Sequence, residues 1–147
     1  MQQMTPRARL RAPGTRAWLR LLHIEHKIVR MLSEDLKGRG LSLAHFDVLA
    51  HVGAAEGMTQ QQLADSLLVT KGNICQILDR MEDSGLLARR RDGRKNRLYL
   101  TDPGRTLFNR VVPAHESLIA EQFSALSAAE QVQLLALLRT VDRALPN

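Results

Sequence analysis

Two groups of side chains in this chain are suited to reach outward as hydrogen-bond donors. Lys71, Asn73, Gln76 and Arg80 lie two to four residues apart. On a helical wheel they fall opposite Ile74, Ile77, Leu78 and Met81, whose i, i+3, i+4, i+7 pattern must face a core. Asn and Gln can bond adenine through two atoms, Lys and Arg can reach guanine or phosphate, and the start of a helix adds its own positive end. Taken alone, the same residues also fit an ordinary solvated helix face. The second group is Arg89, Arg90, Arg91, Arg94, Lys95 and Arg97, crowded around Asp92-Gly93, a dipeptide favoured in tight turns. Clustered like charges repel one another, so this tip makes most sense opposite a polyanion such as DNA phosphate. A solvated basic loop is the competing reading.

The surrounding residues set out the elements that must hold these groups. Thr59 followed by Gln62 fits a capping box and starts a helix. Its short apolar stripe, Leu63, Ala64 and Leu67, lapses at Leu68-Val69 before Thr70 offers a second N-cap. Two helices therefore meet across a tight turn. Ser84-Gly85 closes the second one, and Leu98 and Leu100 alternate with Tyr99 as in a half-buried strand, so the arginines ride on a hairpin.

This stretch resembles the winged helix-turn-helix of the multiple-antibiotic-resistance regulator (MarR) family. The resemblance rests on Leu63-Ala64, Leu67, Thr70 to Ile74, Leu78-Asp79-Arg80, Glu82, Gly85-Leu86, Asp92-x-Arg94 and Leu100-Thr101-x-x-Gly104. Leu41 to Val52 looks like the family's second helix, and the segment from Val111 to Val141 looks like its paired C-terminal helices. Two departures stand out: the wing is a few residues shorter between Arg91 and Asp92, and Gly93 stands where the family often has arginine. Carried over, the resemblance implies that Thr70, Lys71, Asn73 and Gln76 lie along a major groove. It also implies that Arg94 is the wing arginine, held by Asp92, with Arg89, Arg91 and Lys95 as further DNA-facing cations. Arg80 has two readings, DNA contact or a pair with carboxylates of its own helix.

Length and composition agree. The chain has 147 residues, one Trp, one Tyr and three Phe, enough for one domain with an aliphatic, helical core. A formal charge of +6 and a pI near 10.4 point to an anionic partner. No run approaches the apolar length of a membrane span or a signal peptide. With a single cysteine there is no internal disulfide, so a cytoplasmic protein is expected.

Trp18, Leu21, Leu22, Ile28, Leu32 and Leu36 keep near-helical spacing up to Gly38 and Gly40. Downstream, Thr101, Asp102 and Pro103 start a long helix that Pro113 should bend, and Ser127-x-x-Glu130 caps a last one rich in leucine. A small winged module cannot cover so much apolar surface, so a homodimer is expected. The expected fold is mainly α with a small β-hairpin wing, a winged helix-turn-helix flanked by N- and C-terminal dimerisation helices. Its parts are a basic flexible arm over 1–13, dimerisation helices over 14–41 and 102–147, and a DNA-binding region over 42–101. In the arm region, Arg7, Arg9, Arg11 and Arg16 either track phosphates or are simply disordered charge.

Other residues have plain readings beside sharper ones. His23 and His26, at i, i+3, lack the further ligands of a metal site. Cys75 reads as a small packing residue rather than an oxidant sensor. Trp18 reads as a core tryptophan, or, by the resemblance, as a stacking platform for a small aromatic effector. His45, His51 and His115 read as structural. No P-loop, dinucleotide fingerprint, nucleophile elbow or H-E-x-x-H motif is present, so neither an enzyme nor a cofactor is expected. The function expected is a sequence-specific, ligand-responsive, dimeric repressor binding double-stranded DNA at a pseudo-palindromic operator. A winged-helix module for protein interaction or non-specific DNA binding is the alternative.

Overall fold

The computed structural model describes residues 12–67 and 74–147. The expectations for Arg7, Arg9 and Arg11 and for Thr70, Lys71 and Asn73 lie outside the described residues.

Pro13 stands in the first turn of α1 (Pro13–Gly38), where its missing N–H would be unpaired in any case. Arg16, expected in the arm, is already inside this helix. Toward its end α1 buries Leu32 and Leu36 in the chain's own core, while Trp18, Leu19, Leu21, Leu22 and Ile24 stay exposed.

The central element is α2 (Leu43–Ala54), capped by the Ser42 hydroxyl, which accepts from the His45 amide. It touches α1 on one side and the winged elements on the other. Phe46, Val48, Leu49 and Val52 are all buried, as suits a helix with neighbours on several sides.

Thr59 opens α3 (Gln60–Ser66) with the capping box expected of it: the Gln62 amide donates to Thr59 Oγ1 at 3.1 Å and the Thr59 amide to Gln62 Oε1 at 2.9 Å. Leu63 and Leu67 anchor this short helix in the core. Next comes α4 (Ile74–Asp83), which buries Leu78 and Met81 and rests Ile74 and Ile77 against the same cluster. At its end the Leu86 amide reaches Met81 O and the Gly85 amide reaches Glu82 O, at 2.9 and 3.0 Å. This doubly bonded ending needs a left-handed residue, and Gly85 supplies it with φ 74°.

The wing pairs β1 (Leu87–Asp92) antiparallel with β2 (Lys95–Leu100), from Leu87 opposite Leu100 to Asp92 opposite Lys95. Since Asp92 is itself paired, the corner is Gly93-Arg94 rather than the expected Asp92-Gly93. A short extra rung runs along the other edge of β2: the Gly57 amide donates to Leu98 O at 2.8 Å and the Leu98 amide to Met58 O at 2.9 Å. This ties the wing to the loop before α3.

Thr101 caps α5 (Asp102–Glu121) by accepting from the Gly104 amide at 3.1 Å, and its hydroxyl donates to Gly85 O. Gly104 is buried so tightly that a Cβ there would sit 2.0 Å from Leu86 O. The helix continues through Pro113 to Glu121. Finally α6 (Ala128–Ala144) starts from the Ser127–Glu130 capping box. None of its residues is buried, and Val132, Leu135, Leu137, Leu138 and Val141 are all exposed.

Candidate nucleic-acid interface

With Leu78 and Met81 turned into the core, the opposite side of α4 presents Gln76 and Arg80 to solvent. Arg80 makes no ion pair among the described residues, so it does not take the carboxylates of its own helix. Burial and, to a lesser degree, the positive charge of Arg80 hold the His45 imidazole below its ordinary pKa. Cys75 is exposed on this helix rather than packed. Its Sγ accepts from Gln60 Nε2 at 3.2 Å, linking α3 to α4.

The wing cations, alike in sequence, separate into three kinds in space. Arg89 donates to both Asp79 and Glu82 of α4, and these bonds, Asp79's first, hold its guanidinium pKa above the ordinary value. Arg97 donates through Nε to Asp92 at 2.7 Å and through Nη1 to Gly57 O at 2.8 Å. Asp92 therefore steadies the wing through Arg97, not through Arg94 as expected. The register explains this, because Asp92 and Arg97 share one face of the hairpin, whereas Arg94 stands at the corner. Arg90 lies over the Tyr99 ring, 4.7 Å from its centroid.

Arg91, Arg94 and Lys95 are exposed and have no hydrogen-bond or ion-pair partner among the described residues. Arg94, Lys95 and Asn96 face Thr59, Gln60, Gln61 and Gln62 across an open groove of about 490 Å³. Unpaired cations at the tip therefore stand beside polar side chains of α3, while the two neutralised arginines brace the hairpin to α4 and to the loop before α3. Arg89, grouped by sequence with the DNA-facing cations, is part of that brace.

The remaining candidates do not converge on a second site. Among the described residues no three His, Cys, Asp or Glu side chains come together as a metal site would require, and no described helix is long and apolar enough to cross a membrane. Trp18 is 58 % exposed and so is no core tryptophan of its own chain. His51 Nδ1 lies 2.7 Å from Asp47 O, a local helix contact.

His115, read from the sequence as structural, is a residue of the core. It is buried, stacked on Phe46 with ring centroids 3.9 Å apart, and its Nδ1 has no hydrogen-bond partner among the described residues. Burial pushes its pKa down, partly opposed by Asp35 and Glu116. The only signal in sequence was its position four residues after the buried Val111, on the same face of α5.

Comparison with known proteins agrees with this geometry. A model of the MarR family matches residues 39–97. An uncharacterized HTH-type transcriptional regulator of Bacillus cereus is 31% identical over 131 residues, spanning 88% of this chain and 89% of the relative. Among solved structures, a MarR family transcriptional regulator from Silicibacter pomeroyi superposes with a TM-score of 0.76 at 29% identity, over 96% of this chain and 99% of that one. BpsR of Bordetella bronchiseptica, whose DNA binding is regulated by 6-hydroxynicotinic acid, shares the fold with a TM-score of 0.75 at 23% identity, over 86% of this chain and 98% of its own. Together with the winged hairpin set beside an exposed helix face, this likeness along most of the sequence means that the chain belongs to the MarR family of DNA-binding transcriptional regulators.

Proposed function

We propose that the protein is a homodimeric repressor that reads a pseudo-palindromic operator and is released by a small molecule. The observation that carries DNA reading is the division of the wing charges: Arg91, Arg94 and Lys95 stay unpaired among the described residues, with Arg94 and Lys95 facing the polar side chains of α3, while Arg89 and Arg97 are neutralised. In this reading Gln76 and Arg80, continued toward the chain start by Asn73, Lys71 and Thr70, lie in the major groove. Arg94 enters the adjoining minor groove, where narrow A·T-rich segments concentrate negative potential.

Dimerisation follows from the apolar side chains left uncovered on α1 and α6, among them Trp18 at 58 %, Val132 at 69 % and Leu137 at 59 % exposure. The dimerisation region is then 14–41 with 102–147, around a DNA-binding region of 42–101. A twofold pair reads half-sites about 10 bp apart. Release by a ligand is a matter of linkage: a molecule that binds better when the two reading heads are wrongly spaced must weaken DNA binding by the same factor. The regulation of BpsR by 6-hydroxynicotinic acid supports a small aromatic effector, with Trp18 as a stacking partner once the second chain covers it.

The test is binding of the purified protein to its own upstream DNA and to scrambled DNA of equal length, across a salt series. Tight binding to the native fragment alone that survives near-physiological salt supports the proposal. Equal and steeply salt-dependent binding to both favours the non-specific winged module.

A further inference from the structure

We infer that Arg89 is a positioning residue that locks the wing to the reading helix through Asp79 and Glu82, so that helix and wing meet DNA as one rigid head. The inference rests on the DNA-reading role proposed above and adds to it the device that sets the angle between the two contacts.

The geometry is that of a fork closed from two sides. Asp79 and Glu82 lie three residues apart on α4, close enough to converge on one guanidinium. Arg89 Nη2 donates to both, at 3.3 Å to Glu82 Oε1, and Nε lies 3.4 Å from Glu82 Oε2. The same Glu82 Oε2 also accepts the Arg89 backbone amide at 3.3 Å, so the carboxylate grips strand and side chain together. Arg89 keeps 20% of its side-chain surface exposed, against 60% for Asp79 and 43% for Glu82. The cation is thus the sheltered member of the cluster, not the one presented outward.

A two-stranded hairpin is marginal by itself and takes its orientation from what anchors it. The rung to Met58 and the Arg97 bond to Gly57 join the wing to the loop before α3. The Arg89 cluster is the polar tie between the wing and α4, and charge-assisted forked bonds of this kind are directional. A second effect acts in the same sense. Two carboxylates on a helix that approaches phosphate would repel it, and Arg89 offsets one of those charges.

The test uses the full chain as Arg89→Ala, Arg89→Lys and the double variant Asp79→Asn with Glu82→Gln. First, amide hydrogen exchange is followed in the free protein. Faster exchange across β1 and β2, with α6 unchanged, is expected for Arg89→Ala and for the double variant, and unchanged hairpin exchange would overturn the lock.

Second, binding is measured on the duplex that the wild type enriches most from a randomised pool, and on a scrambled duplex. Both variants should lose about tenfold or more on the enriched duplex, the scale of one misread base pair, with the slope of log affinity against log salt unchanged. For the double variant the scrambled duplex should be bound equally well or more tightly. A slope reduced by about one in Arg89→Ala would instead mean a direct phosphate contact. Equal tightening on both duplexes by the double variant would likewise defeat the inference.

Should Arg89→Ala unfold, Arg89→Lys decides. It keeps the charge but not the fork, and an intermediate loss of specific affinity is expected, whereas wild-type affinity and exchange would count against the lock. If no duplex is enriched, it is the DNA-reading proposal that fails, and hydrogen exchange still decides whether Arg89 holds the wing.

Discussion

Arg97 Nε lies 2.7 Å from Asp92 Oδ2, while Nη1 of the same guanidinium donates to Gly57 O at 2.8 Å. The hairpin is thereby braced across its own face and to the loop before α3, and Arg94 is left free at the corner. Arg94→Ala should therefore weaken operator binding more than Lys95→Ala, with little change in the unfolding midpoint. Arg97→Ala should lower that midpoint, and Asp92→Asn should lower it less because the bond to Gly57 survives. Fluorescence anisotropy on one operator and thermal unfolding of each variant check the set, and equal binding losses for Arg94 and Lys95 would defeat the wing assignment.

Gln76 projects from α4 without a hydrogen-bond partner among the described residues. If it reads a base edge, Gln76→Ala should cost about 1–3 kcal/mol on the specific duplex and almost nothing on scrambled DNA. Parallel titrations of both duplexes give the ratio directly, and an unchanged ratio would remove Gln76 from the reading face.

Gly104 sits where the start of α5 meets the turn after α4, with no space for a side chain against Leu86 O. Gly104→Ala should destabilise the fold by about 1–3 kcal/mol or more, as overpacking of a tight contact does. Denaturant unfolding measures this, and a wild-type midpoint would mean that the two backbones separate easily.

His115 is held neutral by burial, its pKa pushed below the ordinary 6.5. The unfolded chain takes up a proton as pH falls through 6.5, whereas the folded chain does so only at lower pH. Stability from this group is therefore complete above about pH 6.5 and declines as pH falls toward the folded value. His115→Phe, which keeps a ring against Phe46, should flatten that acid-side decline. Unfolding midpoints across this range test it, and identical slopes for both proteins would contradict it.

Leu135 and Leu138 line an apolar hollow on α6 together with Phe123 and Val132. If a second chain fills it, Leu138→Glu should shift the protein toward monomer and weaken operator binding steeply. Sedimentation velocity at micromolar concentration reads the first effect, and a wild type that is already monomeric would end the dimer proposal.

The helix starts were legible in the sequence because a helix cap is closed within four residues: the capping boxes of Thr59 with Gln62 and Ser127 with Glu130, and the single cap of Thr101 on the Gly104 amide, all form from neighbours alone. Core faces were legible for a similar reason, since the helical period that places Leu78 and Met81 on one side leaves Gln76 on the other. What an arginine in the wing does was not legible. Arg89, Arg94 and Arg97 have the same chemistry, and only the register of β1 against β2, together with the packing of the hairpin on α4, brings Arg89 to Asp79 and Glu82 and turns Asp92 to Arg97. The buried stack of His115 on Phe46 likewise exists only once α5 crosses α2. Local pattern determined the elements and their outward faces. Tertiary structure decided which charges are neutralised and which remain free for DNA, because a pair between charges far apart in sequence forms only where the fold brings them together.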